Sequence, residues 1–476
     1  MLRGMKTLLA FLFLLVVSAA APAAPELSAE QAQRDLRLLR RAFTALHPGL
    51  YRYASPADID AGFAAAEAEV ASGASRAQVY LLATRLAAQV RCGHTWTNPS
   101  NQTPAVRELL DAAALPLVFR FVEGRLLVVA SAVAGVPAGS EVLALEGRTP
   151  ADLTALLMPY LRADGSSDGK RLAQLDDNAN GGALQRLLPL LMPAPAEGWR
   201  LRLADGRTVR VLPMSASARE QALRAAGWQP ASTAWRLSYH GDVAVLTLPT
   251  FAFWGGGFDG AAFLARSFDE LHERGIRRLV VDLRDNEGGD DSLGRTLLSH
   301  LIAAPHTQPG SPRVSAYERV PYELARYLDT WDFDFFDRTG QVERLAGRGW
   351  RQPDSPAQVT TPAARPFRGQ VVALVGPQNS SAGFLLAREL KASGAALLMG
   401  EPTGGNLRGL NGGQLAWLTL PASGVAVDIP LVATITPGPP PDAGVAPDVA
   451  VAPRWADVVA GRDTVLQAAL QRLARY

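Results

Sequence analysis

Apolar side chains recur at helical spacing in three stretches near the start of the chain. In residues 28–46, Leu36, Leu38, Leu39 and Phe43 gather towards one face, Ser28 and Gln31 suit a capping box, and Pro48 ends the run. Residues 57–71 and 76–90 read as two further helices, the second breaking at Arg91-Cys92-Gly93-His94-Thr95. The period then changes. LVFRFVEGRLLVV, residues 117–129, predicts two strands about a Glu123-Gly124 turn, a helix starts near Asp152, and residues 199–212 predict a hairpin turning at Asp205-Gly206. From Trp235 strands and helices alternate. Strands are expected at 243–248, 278–283, 371–375 and 396–399, and helices at 258–273, 292–302, 382–392 and 462–474. A hairpin follows at 414–420 and 425–431. The fold class is therefore mixed α/β and multidomain. A helical N-terminal domain at 24–110 carries His94, a β-rich domain occupies 111–212, a linker or short helical connection 213–234, and an α/β domain 235–476. Within the last, residues 306–367 form a Pro- and aromatic-rich insertion that either covers a cleft or packs on the sheet.

Composition narrows the function classes. At 476 residues with 48% hydrophobic and 19% charged positions, the chain can bury a large core and is not a disordered protein. Lys+Arg at 47 against Asp+Glu at 45 gives a net charge of +2, which argues against nucleic acid or anionic lipid as a general partner. Arg3 and Lys6, the apolar run 8–17 and the small residues 18–24, with Ala21-Pro22-Ala23 as cleavage tripeptide, read as a signal peptide over 1–23. The apolar run is too short to span a bilayer, and no later span is visible. The expected location is thus periplasmic or secreted. Cys92 is the single cysteine, so no intrachain disulfide forms.

Candidate chemistry begins at VVALVGPQNSSAGFLLARELKASG, residues 371–394, a buried strand leading through a polar turn into a helix. Ser380 and Ser381 stand at that helix's N-terminus, where unpaired N–H groups and the dipole favour negative charge. An ordinary serine cap accounts for the same residues, and no GxSxG elbow surrounds them. Gly288 and Gly289 directly follow a strand, and beside a nucleophile such a turn supplies one oxyanion donor, with the Ala382 N–H as the other. The nearby carboxylates Asp282, Asp285, Glu287, Asp290 and Asp291 lack calcium-loop spacing, so neither metal nor other cofactor is expected. Among the 6 histidines, His94 is distinguished by its place where an apolar helix breaks. Lysine is the rival base. Lys6 leaves with the signal, Lys391 lies roughly 15 Å beyond Ser381 on the same helix, and Lys170 falls in a loop of glycine, serine and aspartate. Serine–lysine chemistry is disfavoured.

VVDLRDNEGG, SSAGFLLA, GEPTGGN and GVAPDVAV, met in that order, resemble the tail-specific or C-terminal processing peptidases, and within that clan the tricorn-like branch with its crotonase-like core. The segment from Gly135 to Gly147 resembles the turn and strand of PDZ-like domains. The resemblance places the nucleophile at Ser381, oxyanion donors at Gly288 or Gly289 and at Ala382, and the base at His94 of Gly93-His94-Thr95. The processing peptidases' lysine falls on Asn406, so their dyad is absent. The branch's serine before the histidine is here Gly93, and its glutamate before the GVxPD motif is here Pro441, with Asp442 the candidate to take that role. The resemblance implies an exported serine endopeptidase that cleaves unfolded or tail-exposed polypeptides by acyl transfer. A catalytically silent peptide-binding relative, a lipid carrier and an acyl-CoA hydratase/isomerase remain as alternatives, although export argues against the last.

Overall fold

The computed structural model describes residues 25–177, 182–346 and 349–475, so the expected signal peptide lies outside the described residues. The centre of the C-terminal region is a six-stranded sheet in the order Val449–Ala450, Leu397–Gly400, Gln370–Val375, Arg278–Asp282, Val243–Thr247, Arg236–His240. Its neighbours are parallel except for the hairpin formed by the last two. Val243–Thr247 is buried at every position, as a strand covered on both faces must be. Ala244, Leu246, Leu279 and Val281 face helices Gly260–Glu273, Asp291–Leu301 and Ser381–Ser393. Val243, Val245, Val280, Val372 and Leu374 instead pack on Val465, Ala469 and Leu473 of helix Thr464–Ala474. Each fully buried Val, Leu or Phe of these layers contributes about 1.5–3 kcal/mol.

A five-stranded antiparallel meander, Leu117–Val122 through Thr208–Val211, forms the β-rich region. The connection after it contains a helix, Ala216–Ala225. The insertion does not stand apart as a lid. Its strands Ser311–Ser315 and Trp350–Ser355 extend the hairpin Gln414–Thr419 and Ala426–Thr434 into a second six-stranded sheet.

Helices Ala29–Leu46, Pro56–Glu69 and Arg76–Gln89 share one apolar core with that hairpin, through residues such as Leu36, Phe43, Leu86, Leu418, Val427 and Ile429. Polar groups at this junction are matched. Asp35, fully buried, accepts from the N–H groups of Ala422 (3.1 Å) and Ser423 (2.7 Å). Gln102 exchanges two hydrogen bonds with the Ala426 backbone, and the Asp428 N–H donates to Trp96 O at 2.9 Å. Burying such groups unpaired would cost about 1–3 kcal/mol each, so the pairing fixes the register of docking. The segment that carries His94 is thereby held against the C-terminal half of the chain. No helix among the described residues is long and apolar enough to cross a membrane.

Candidate active site

Two adjacent parallel strands, Gln370–Val375 and Arg278–Asp282, end on the same side of the sheet, and the turns that follow them meet. In α/β sheets this carboxyl edge is where ligands bind. Asn379, fully buried, welds the two turns. Its Oδ1 accepts from the Gly376 N–H at 2.8 Å, and its Nδ2 donates to Leu283 O at 2.5 Å and Asn286 O at 3.1 Å. Gly404 and Gly405 of the GEPTGGN motif donate their N–H groups to Asn379 O from behind, at 2.8 and 2.9 Å. Ser380 caps the helix position without a side-chain cap bond, its Oγ donating to Glu287 O at 3.1 Å.

Ser381 opens helix Ser381–Ser393 with φ +48°, a left-handed conformation that costs a non-glycine residue about 1–2 kcal/mol. Strain of this kind is retained where the surroundings impose it, typically at functional turns. Across from it lies Gly288, φ +115°. A Cβ there would stand 2.8 Å from the Ser381 Cβ and 2.9 Å from the Ala382 nitrogen. Of the two glycines, Gly288 has its N–H engaged by Asn286 Oδ1 at 2.9 Å, whereas the Gly289 N–H has no acceptor among the described residues. Ala382 is buried in the first helical turn, where no intrahelical acceptor is available to its N–H.

His94 follows a chain reversal at Arg91, φ +57°. Its imidazole is partly exposed and packs edge-on to Gly412, where a Cβ would lie 2.6 Å from Nε2. Nδ1 is buried and has no hydrogen-bond partner. Burial lowers its pKa from the ordinary imidazole value, opposed by the Asp164 carboxylate and aided by Arg162 and Lys170, with Glu287 acting in the opposite sense. His47, by contrast, is structural. It is fully buried, its Nδ1 accepts from the Gly49 N–H at 3.1 Å, and its Nε2 therefore donates to Thr95 Oγ1 at 2.8 Å.

A chain of contacts joins the serine turn to the histidine turn. Ser380 Oγ bonds Glu287 O, the Glu287 carboxylate pairs with Arg162 at 3.1 Å and with Lys170 at 3.2 Å, and the Arg162 guanidinium bonds Gly93 O while lying 3.7 Å over the Trp96 ring. Ser381 Oγ and His94 are not hydrogen-bonded to each other. Unliganded sites commonly hold such pairs loosely.

Lys170, expected in a loop, instead lies in the short helix Asp168–Ala173 and is 2% exposed, with Nζ donating to Gln378 Oε1 at 2.8 Å and Gln378 O at 3.2 Å. Burial pushes its pKa down to about 8 against the pull of Glu287. Its reach is taken up by Gln378 and Glu287, which makes it a brace of the nucleophile turn. Asp442 accepts from Ser166 N–H (2.9 Å), Ser166 Oγ (2.9 Å) and Asn406 Nδ2 (2.7 Å), and makes no hydrogen bond to His94. Asn406, at the processing peptidases' lysine position, is fully buried. Cys92 Sγ, a His94 ring nitrogen and an Asp164 oxygen lie within 4.8 Å of one another, the one grouping of such atoms close enough for a metal ion among the described residues.

Sequence reasoning missed Arg162, Asp164 and Lys170. The one usable signal was the rarity of lysine, which made its presence in a DGSSDGK stretch unusual.

Among solved structures, a mutant of CPAF is similar over 93% of this chain and 98% of its own, at 14% identity and a TM-score of 0.63. Mature CPAF complexed with lactacystin is similar over 94% and 97%, at 14% identity and a TM-score of 0.62. Such low identities show a shared fold. No curated protein sequence matches the chain. Residues 242–451 match the peptidase family S41, and that stretch contains the strand edge, the paired glycines and Ser381. Over that stretch the chain is similar to peptidase family S41, a family of serine-type peptidases.

Proposed function

We propose that the chain is an exported endopeptidase that cleaves unfolded or tail-exposed polypeptides, with Ser381 as nucleophile and His94 as its base. The observation that carries this reading is the strained Ser381, set at a helix N-terminus directly across from Gly288 and tied to the His94 turn through Glu287 and Arg162. His94 Nε2 takes the Ser381 proton as Oγ attacks the peptide carbonyl. The Ala382 N–H and the unengaged Gly289 N–H receive the oxyanion, each donor worth on the order of 3 kcal/mol. Protonated His94 then gives its proton to the leaving amine as the C–N bond breaks, and water, deprotonated by His94, attacks the acyl-enzyme to release the acid and restore Ser381. The signal-peptide pattern supports export to a periplasm or beyond.

Digestion of an unfolded protein such as casein by the mature chain, with mass spectrometry of the products, tests this. Ser381→Ala and His94→Ala are expected to lose cleavage by about 10³-fold or more while remaining folded. One observation favours a second reading, a silent peptide-binding or lipid-carrying relative: the missing Ser381–His94 hydrogen bond. Products equal in wild type and both variants would establish that reading instead.

A further inference from the structure

The catalytic histidine of the reading above needs a partner at Nδ1. A base that works through Nε2 must hold its own proton on Nδ1, and an acceptor there selects that tautomer. Asp442, the residue that motif position favours, is fully engaged by Ser166 and Asn406. Another carboxylate is better placed. Asp164 is 2% exposed; its Oδ1 accepts from the Gly93 N–H at 2.8 Å, and its Oδ2 is buried without any partner. The Nδ1 of His94 is likewise buried without a partner. An Asp164 oxygen and a His94 ring nitrogen already lie within 4.8 Å of each other. A buried acceptor and a buried ring nitrogen, both unpaired and in one small cluster, can each satisfy the other.

The glycine before the histidine gives an independent reason. A Cβ on Gly93 would meet Asp164 Oδ2 at 2.8 Å, so the missing side chain is what lets the carboxylate approach the turn that carries His94. We infer that Asp164 is the positioning residue of His94, fixing its Nδ1–H tautomer. Asp442 serves one step back. It holds Ser166 and Asn406, and Asn406 Nδ2 also donates to Asp164 O at 3.4 Å, which steadies the turn that carries Asp164. Other groups compete for Asp164: Tyr53 Oη is also buried without a partner and feels the Asp164 charge, and Cys92 Sγ lies in the same cluster.

The test uses the full mature chain labelled with ¹⁵N-histidine, comparing wild type with Asp164→Asn, Asp442→Asn and Tyr53→Phe. Asparagine keeps the Oδ1 that accepts from Gly93 N–H, so folding is preserved and a thermal melt checks it. The His94 signal, identified by its loss in His94→Gln, should report an Nδ1–H tautomer in wild type. Asp164→Asn should convert it to the Nε2–H form and lower kcat by about 10³–10⁴-fold with KM nearly unchanged. Asp442→Asn should keep the tautomer and lose about tenfold or less in kcat, and Tyr53→Phe should change neither. An Nδ1–H tautomer that survives Asp164→Asn, or that is lost in Asp442→Asn or Tyr53→Phe, overturns the assignment. Because the tautomer is read without turnover, this result stands even if the peptidase reading fails in the digestion experiment.

Discussion

Ser381 occupies left-handed space, and Gly288 faces it so closely that a Cβ there would stand 2.8 Å from the Ser381 Cβ. Gly288→Ala should therefore harm catalysis more than folding. The new methyl would sit 2.8 Å from the Ser381 Cβ at a φ of +115°, which strains the turn by about 1–3 kcal/mol. The same methyl would push against the Ala382 nitrogen and spoil an oxyanion donor. The expected result is a loss of at least about 10²-fold in kcat with a modest fall in Tm. Steady-state cleavage and a thermal melt on the same sample check both. Activity within a fewfold of wild type would show that Gly288 does not border the reacting carbonyl.

At the scale of elements, the short segment 162–170 does the joining. Arg162 reaches Gly93 O and Glu287, Asp164 reaches Gly93 N–H, Ser166 reaches Asp442, and Lys170 reaches Gln378 and Glu287. Lys170→Met removes one ion pair of Glu287 and the donor to Gln378 O, two residues before Ser380 in the serine turn. A shift of that turn by about 1 Å is worth about 10²-fold, so kcat should fall by roughly that factor while Ser381 keeps its reactivity towards a fluorophosphonate probe. Complete loss of probe labelling would instead make Lys170 the base. This segment also marks where sequence reading stopped. The strands and helices of the C-terminal sheet were legible because continuous apolar runs such as 371–375 and helix-period runs such as 258–273 have one stable use each. Ser381, His94 and the paired glycines were legible because each sits at a break between such runs. Residues 162–170 were not, since DGSSDGK has the composition of a solvated loop and acquires its role only from partners more than sixty positions away. Strands Ser311–Ser315 and Trp350–Ser355 were missed because they are short and join their sheet by pairing across long sequence separations.

In the whole molecule, the helices that end at His94 and the hairpin Gln414–Thr419 with Ala426–Thr434 share one core, with Asp35, Gln102 and Trp96 bonded across the junction. His94 is thus held in place by packing of the N-terminal helices on the C-terminal half. Under the proposed pairing of Ser381 with His94, serine reactivity titrates with the imidazole. Neutral His94 is the competent base and protonation removes it. Because burial lowers its pKa, the acid limb should lie below the ordinary value of 6.5. The decisive measurement is the rate of fluorophosphonate labelling against pH for wild type, Ser381→Ala and His94→Ala, with the label located by mass spectrometry. The account predicts a single adduct on the peptide containing Ser381, an acid limb with a midpoint below pH 6.5, and a rate about 10²–10⁴-fold lower and free of that limb in His94→Ala. Equal rates in wild type and His94→Ala, or labelling no greater than in Ser381→Ala, would contradict it.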